Sequence, residues 1–258
     1  MSVLTLLTDF GLRDAYVGIV KGVALSVTPG LQLVDLTHEV PPQAVAVGAL
    51  VLRSAVPWFP AGTVHLAVVD PGVGTARGAI AVRAADALLV GPDNGLLAPA
   101  VAALGGADAI HAIDPPADRV LSRTFHARDL FAPTAARLAG GAAIASLGAP
   151  RRSMVELALP RAIATADGAS GEVIHVDRFG HLLTNLDRAA LGAFRDHPLS
   201  VRVAGMLVPL RATYGEVAAG EPVAVWSSWE TIEVAVRDGD AAARLGVGVG
   251  TPVTATAG

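Results

Sequence analysis

The sequence predicts an α/β protein in two parts: an N-terminal α/β domain, in which helices cover a sheet, and a small C-terminal β-barrel. Two observations carry this. The first half alternates short apolar runs with longer amphipathic ones, the pattern of a sheet with covering helices. Beyond a lapse in periodicity at 148–169, the chain becomes short strand-like runs separated by turn residues.

In chain order, Val3–Leu7, Leu31–Leu36, Val64–Val69, Ala79–Arg83, Leu88–Gly91 and Ala109–Ile113 have the apolar, β-branched character of buried strands. Ala15–Val27, Ala44–Ala55, Ala98–Leu104 and Leu130–Ala139 fit helices. Pro29, Pro57 and Pro60 then fall just beyond helix ends, where proline is expected. Pro150, Arg151, Arg152, Pro160 and the Ala-Asp-Gly-Ala-Ser run mark a crossing between domains. We therefore expect an α/β domain at 1–155, a linker at 156–168 and a barrel at 169–258. The barrel strands are expected at Gly171–Asp177, Ser200–Val203, Met206–Leu210, Pro222–Trp226 and Thr231–Val236. No fixed-period repeat or low-complexity tail interrupts this reading.

Composition narrows the class. The 258 residues are enough to bury a substantial core without staples. There is no Cys, which removes disulfides, thiolate nucleophiles and Cys-based metal sites together and fits a cytoplasmic, reducing compartment. Hydrophobic residues are 52% and charged ones 16%, so much surface is expected to be buried in subunit contacts. Gly, Pro, Asp or Arg interrupts every apolar run, which argues against a membrane span, and the start lacks a signal peptide's basic region. With a net charge of −4 and scattered basic residues, no nucleic-acid partner is expected. Lys21 is the single lysine, which leaves a Schiff-base mechanism one candidate.

The most informative stretch is Val69-Asp70-Pro71-Gly72-Val73-Gly74-Thr75-Ala76-Arg77, where an apolar strand ends in a carboxylate, a glycine-opened turn and a guanidinium. Ligands of open α/β sheets collect outside the carboxyl ends of strands, where Asp70 stands; the plainer reading is an Asp–Arg pair tying down a turn. Thr8-Asp9-Phe10-Gly11 follows the first strand in the same way, so Asp9 could share a crevice with Asp70 and accept both hydroxyls of a ribose, or else cap a helix as Asp14 could. Gly91-Pro92-Asp93-Asn94-Gly95 is by itself a turn signature. His126, in Thr124-Phe125-His126-Ala127-Arg128-Asp129, precedes a helix; an isolated histidine is more often structural than catalytic. In the second domain, Asp177-Arg178-Phe179-Gly180-His181 reverses the chain and Asp177 could hold an ammonium, while Ser227-Ser228 offers donors to a carboxylate. Ordinary turn chemistry accounts for either motif taken alone. A phosphate-binding loop, a Gly-x-Ser-x-Gly elbow and a His-Glu-x-x-His zinc helix are all missing, and Gly72-x-Gly74 lacks a third glycine three positions on.

Together, Thr8–Gly11, Val69–Thr75, Gly91–Gly95, Thr124–His126 and Asp177–Gly180 resemble the S-adenosyl-L-methionine (SAM) hydroxide adenosyltransferases, a family often called SAM hydrolases. The motifs stand in the family's order and span nearly the whole chain. The resemblance implies an N-terminal α/β sandwich with a mixed, mainly parallel sheet, a C-terminal β-barrel, and a homotrimer whose active sites lie between one subunit's first domain and its neighbour's second. It implies attack by water on the ribose C5′ of SAM, giving adenosine and methionine without a cofactor. By similarity, Asp70, Arg77 and His126 form the triad that holds and activates the water. Asp9 would bind the ribose hydroxyls, Asp177 and Ser228 the methionine end, and Tyr214 would pack near the adenine. His181, also placed among the substrate-binding residues, stands where relatives usually carry an Asn that reads the adenine edge. Ala127 replaces a common Gly, and Trp229-Glu230 a common Gly-Tyr.

The chemistry fits these residue types. A sulfonium is already a good leaving group, so the protein must chiefly supply an oriented, partly deprotonated water. An always-charged guanidinium can stabilise developing hydroxide. Whether Asp70 or His126 accepts the proton stays open at this level. A SAM-dependent halogenase is the nearest rival. Asp70 opposes it, since a halide about 4 Å from a carboxylate is repelled by roughly 4 kcal/mol at an effective dielectric near 20, a loss of about a thousandfold in occupancy. A non-catalytic adenosine or SAM sensor is the rival from another class, and it would have no use for a water-activating cluster.

Overall fold

The computed structural model describes residues 2–117 and 120–257, and the chain divides into two compact units, Met1–Ala158 and Leu159–Gly258. The first holds strands β1 (Val3–Thr8), β2 (Gln32–Thr37), β3 (Val64–Val68), β4 (Ala79–Ala84), β5 (Ala87–Pro92), β6 (Ala109–Ala112) and β7 (Pro150–Arg151). Helices α1 (Tyr16–Val27), α2 (Val45–Ala55), α3 (Ala98–Ala103) and α4 (Ala132–Ala139) accompany them. The seven-stranded sheet runs β2-β1-β3-β5-β4-β6-β7. Its β2-β1-β3-β5 section is parallel and the pairings from β5 through β4 and β6 to β7 are antiparallel, which gives the expected mixed sheet.

Strand alternation sends successive side chains to opposite faces, and here both faces are covered. Leu4 and Leu6 of β1 join Leu66 and Val68 of β3 beneath Val20 of α1 and Ala135 and Leu138 of α4. Leu7, Ala67 and Leu89 point the other way, against Ala49 and Leu52 of α2 and Val101 of α3. The result is a three-layer sandwich. The strands and helices expected in this half all occur, with ends that differ by a residue or two. The exception is the last helix, where a π-helical turn, Ala127–Phe131, runs into α4.

The second unit carries β8 (Ile163–Ala164), β9 (Gly168–Val176), β10 (Leu182–Asp187), β11 (Leu199–Val203), β12 (Met206–Pro209), β13 (Pro222–Trp226), β14 (Thr231–Val236) and β15 (Pro252–Ala257), with short helices α5 (Arg188–Leu191) and α6 (Ala241–Leu245). The antiparallel order β12-β11-β15-β9-β10-β14-β13 nearly closes, because a bridge between Leu210 and Ala224 links the end of β12 to β13. This is the expected barrel. The long β9 serves both sides: its first half pairs β15 and its second half pairs β10. The sequence reading did not mark β10 or β15 as strands, because their Thr, Asn and Pro residues dilute the apolar alternation. Among the described residues no helix is long and apolar enough to cross a membrane.

One buried group ties the first sheet to pH. His65 of β3 sits opposite Thr5 of β1, and its Nδ1 meets the Thr5 hydroxyl at 2.8 Å while the ring lies wholly out of solvent against Phe59. Burial disfavours the imidazolium and pushes the pKa down to about 4. The unfolded chain binds this proton near pH 6.5 and the folded one does not until about 4, so stability present above 6.5 is lost as the pH falls between the two. We predict that acidification from pH 7 to 4 costs the wild type roughly 3 kcal/mol more unfolding free energy than it costs His65→Gln. Urea titrations across that range measure the difference, and equal losses in both proteins would contradict it.

Candidate active site

β1 and β3 are adjacent and parallel, with Thr8 opposite Val68, so the segments that follow them leave the sheet side by side at its carboxyl edge. Asp9 and Asp70 are the first carboxylates on those two exits, and both line one cavity of about 480 Å³. The crevice expected from the two strand ends therefore exists.

Asp70 and Arg77 face each other across their own turn as a bidentate pair. Arg77 Nε donates to Asp70 Oδ1 at 3.0 Å and Nη2 donates to Oδ2 at 2.6 Å, with the two side chains only 6% and 8% exposed. The turn that permits this needs glycine at position 74: its φ is +76°, and a Cβ there would collide with the carbonyl of Arg123. Arg77 Nη1 donates back to the carbonyl of Gly78 at 2.7 Å, and the guanidinium lies over the Phe131 ring at 5.3 Å.

His126 reaches the same group from a distant part of the chain, through its position ahead of the π-helical turn. Its Nδ1 lies 3.2 Å from Arg77 Nη2. A guanidinium has donors and no acceptors, so Nδ1 must accept, and in the neutral ring the proton then sits on Nε2. Desolvation, and next the Arg77 charge, hold the His126 pKa below its ordinary value despite the opposing pull of Asp70 and Asp129. The ring is accordingly neutral at neutral pH.

Asp9 is steadied from two sides. Its Oδ2 accepts the backbone N–H of Gln43 at 2.8 Å, and Gln43 holds a left-handed φ of +67° to offer it. The loop beneath is pinned by His38, whose carbonyl takes Gly11 N–H at 2.7 Å and whose Nδ1 meets the Thr8 hydroxyl at 2.8 Å. An aromatic group that the sequence reading did not single out, Phe10, Tyr16 and Phe125, forms part of the same cavity wall, with Tyr16 and Phe125 edge-on at 5.2 Å. Phe125 lies more than a hundred positions from Phe10 and Tyr16, so no local pattern announces the group.

In the barrel unit the β9–β10 turn brings Asp177 and His181 together. Asp177 Oδ1 accepts the N–H groups of Phe179 and His181 at 2.9 and 2.8 Å, so ordinary turn chemistry accounts for that oxygen. Oδ2 remains, 3.4 Å from His181 Nδ1. Glu233 of β14 completes the cluster, taking the Tyr214 hydroxyl at 2.7 Å and lying 3.1 Å from His181 Nδ1, while the His181 ring stacks on Tyr214 at 5.3 Å. Glu233 was not singled out from sequence, although a lone Glu inside an apolar strand is a signal in its own right. Burial and the neighbouring Glu233 push the Tyr214 phenol far up. His181 and Tyr214 line a cavity of about 460 Å³ with Phe179, which is 70% exposed. Ser228 is exposed in the β13–β14 turn, outside the hydrogen bonds of this cluster.

The Asp70–Arg77 pair sets a stability prediction. Asp70→Ala leaves a buried guanidinium without its carboxylate and is expected to cost about 3 kcal/mol or more in urea unfolding, whereas Asp9→Ala, at a half-buried loop carboxylate, is expected to cost under about 1 kcal/mol. Similar small losses in both would mean that solvent, not Asp70, neutralises Arg77.

Residues 4–148 match the SAM hydroxide adenosyltransferase N-terminal domain, and residues 171–254 match the C-terminal domain of the same family. A Salinispora tropica protein named (R)-S-adenosyl-L-methionine hydrolase is 47% identical, with 97% of this chain and 96% of that one aligned. A protein of the same name from Thermus thermophilus is 43% identical over 96% of each chain. A fluorinase from an Actinoplanes species is more distant, 28% identical over 86% of each. Among solved structures, a conserved protein from Thermotoga maritima matches with a TM-score of 0.90 at 35% identity, covering 98% of this chain and 99% of that one. With family domains matched across both units and curated relatives aligned along nearly its whole length, this chain belongs to the SAM hydroxide adenosyltransferase family.

Proposed function

We propose that this protein hydrolyses S-adenosyl-L-methionine to adenosine and L-methionine, acting on the R epimer at sulfur that its relatives' names specify. The observation that carries the reading is the convergence of Asp70, Arg77 and His126, with Asp70 and His126 on the wall of a cavity that Asp9 also lines.

In the reaction, a water oxygen forms a bond to C5′ as the C5′–S bond breaks. The bonding pair leaves with sulfur, which becomes the neutral thioether of methionine, and the water gives up one proton. Arg77 and the Nε2–H of His126 supply donors to the oxygen as it becomes negative, and Asp70, whose oxygens keep spare lone pairs beside Arg77, accepts the proton. Nothing need be protonated on the leaving side, so positioning of the oxygen behind C5′ is the main task. Asp9 holds the ribose hydroxyls. In the barrel unit Asp177 and Ser228 hold the amino-acid end, and Tyr214 and His181 flank the adenine. A homotrimer, joining one subunit's first domain to a neighbour's second, would unite the two clusters in one site; the family resemblance and the low charge content of 16% support it. A cysteine-free chain of this kind suits the cytoplasm.

The fluorinases among the relatives favour one competing reading, halide transfer. A carboxylate on the cavity wall opposes it.

Three measurements test these assignments. Incubation with the R and S epimers of SAM, with and without chloride, is expected to release adenosine, faster from the R epimer and with no halogenated nucleoside. Tight nucleoside binding without adenosine release would favour the sensor reading. Asp70→Asn is expected to lower kcat at least 100-fold with KM within a few-fold, and Asp9→Ala to raise KM instead. The His126 pKa lies below 6.5, so kcat/KM is expected to stay level at and above neutral pH and to fall only as acid protonates Nδ1; a rise from pH 6.5 to 8 would contradict a neutral His126.

A further inference from the structure

The turn Gly91-Pro92-Asp93-Asn94-Gly95 has no part in the chemistry above, yet it touches both ends of the segment that carries it. Asn94 Nδ2 donates to the carbonyl of Val69 at 2.9 Å, the residue immediately before Asp70. The N–H of Asp93 donates at 2.9 Å to the carbonyl of Gly78, the residue immediately after Arg77. That carbonyl also accepts Arg77 Nη1 at 2.7 Å, so one oxygen ties the guanidinium to the turn. The turn is itself immobilised: the Asp93 carboxylate is buried and takes the N–H of Val155 at 2.7 Å and Arg151 Nη1 at 3.0 Å, while Asn94 Oδ1 accepts the N–H of Leu96 at 3.2 Å.

Between these anchors the backbone from Pro71 to Ala76 is turns, with glycine at 72 and 74; its own bonds are turn bonds, Val73 N–H to the Asp70 carbonyl and Thr75 N–H to the Gly72 carbonyl, both at 3.2 Å, with the Thr75 hydroxyl on the latter at 2.7 Å. Past the end of β3 it has no ladder to fix the direction of Asp70. We propose that Asn94 is a positioning residue for hydrolysis: by holding the Val69 carbonyl it sets where Asp70 leaves the sheet, and so aims the Asp70–Arg77 pair at His126 and at the attacking water. This rests on the hydrolase reading. Displacements of about 1 Å at a reacting group can cost on the order of 100-fold in rate, so one side-chain amide suffices for a large effect.

The test uses Asn94→Asp, which is nearly isosteric and can still accept from Leu96 but has lost the donor to Val69, together with Asn94→Ala. Both are expected to lower kcat for SAM hydrolysis by about 10-fold or more, with KM and adenosine affinity within about twofold, since Asp9 and its Gln43 contact are untouched. Hydrogen exchange read by mass spectrometry is expected to rise in peptides covering 69–78 and to stay unchanged in the remainder of the first unit. An unchanged kcat in Asn94→Asp, or an equal loss of adenosine affinity, overturns the proposal. So does exchange that rises throughout the unit, which would mark a general folding role. If the wild type released no adenosine from SAM, the hydrolase reading would fail, and the exchange pattern alone would still show whether Asn94 holds this segment.

Discussion

A buried carboxylate and guanidinium, bonded twice to one another across the six residues between them, set the terms for the rest of the first unit. Neither charge tolerates low-dielectric surroundings alone, and together they are stable only where the geometry is held closely. Much of the local architecture answers that demand. Gly74 lets the chain turn against the Arg123 carbonyl, Phe131 offers its ring face to the cation, and the Gly78 carbonyl satisfies a further N–H. The same demand fixes the protonation of His126, because a ring nitrogen facing a guanidinium can only accept. What looks like a catalytic arrangement is thus also the electrostatic solution that makes the loop foldable.

The two units handle polar groups differently. In the first, the candidate site's side chains stand on the segments that leave the carboxyl ends of β1 and β3 and are steadied by backbone contacts, as with Asp9 on Gln43 and Arg77 on Gly78. In the barrel, Asp177 spends one oxygen on its own turn, and Glu233 reaches from among the apolar residues Ile232, Val234, Ala235 and Val236 of its strand to meet Tyr214 and His181. His181 is thereby given an acidic neighbourhood on one side and an aromatic one on the other.

Much of this was legible in the chain. The strands of the α/β unit are nearly continuous apolar runs because both sheet faces are covered, and such runs are hard to mistake. Asp9 and Asp70 were readable as strand-end carboxylates for the same reason. β10 and β15 escaped notice because Thr184 and Asn185 in one, and Thr254 and Thr256 in the other, supply sheet hydrogen bonds and cross-strand contacts where the pattern looks for apolar residues. His126 could be named from its surroundings but joined to Arg77 only by resemblance, since 49 positions separate them and no periodicity spans that distance. The Phe10, Tyr16 and Phe125 rings and Glu233 are likewise products of tertiary packing.

The donor inventory of Arg77 has a consequence for what this side chain can bind. A guanidinium has five N–H bonds. Two are committed to Asp70, one to the Gly78 carbonyl and one to the His126 ring, which leaves a single N–H uncommitted. A cation in this condition cannot fork onto two oxygens at once, so phosphate, sulfate or a free carboxylate gains no chelate advantage from it. One small oxygen species is what it is equipped to greet.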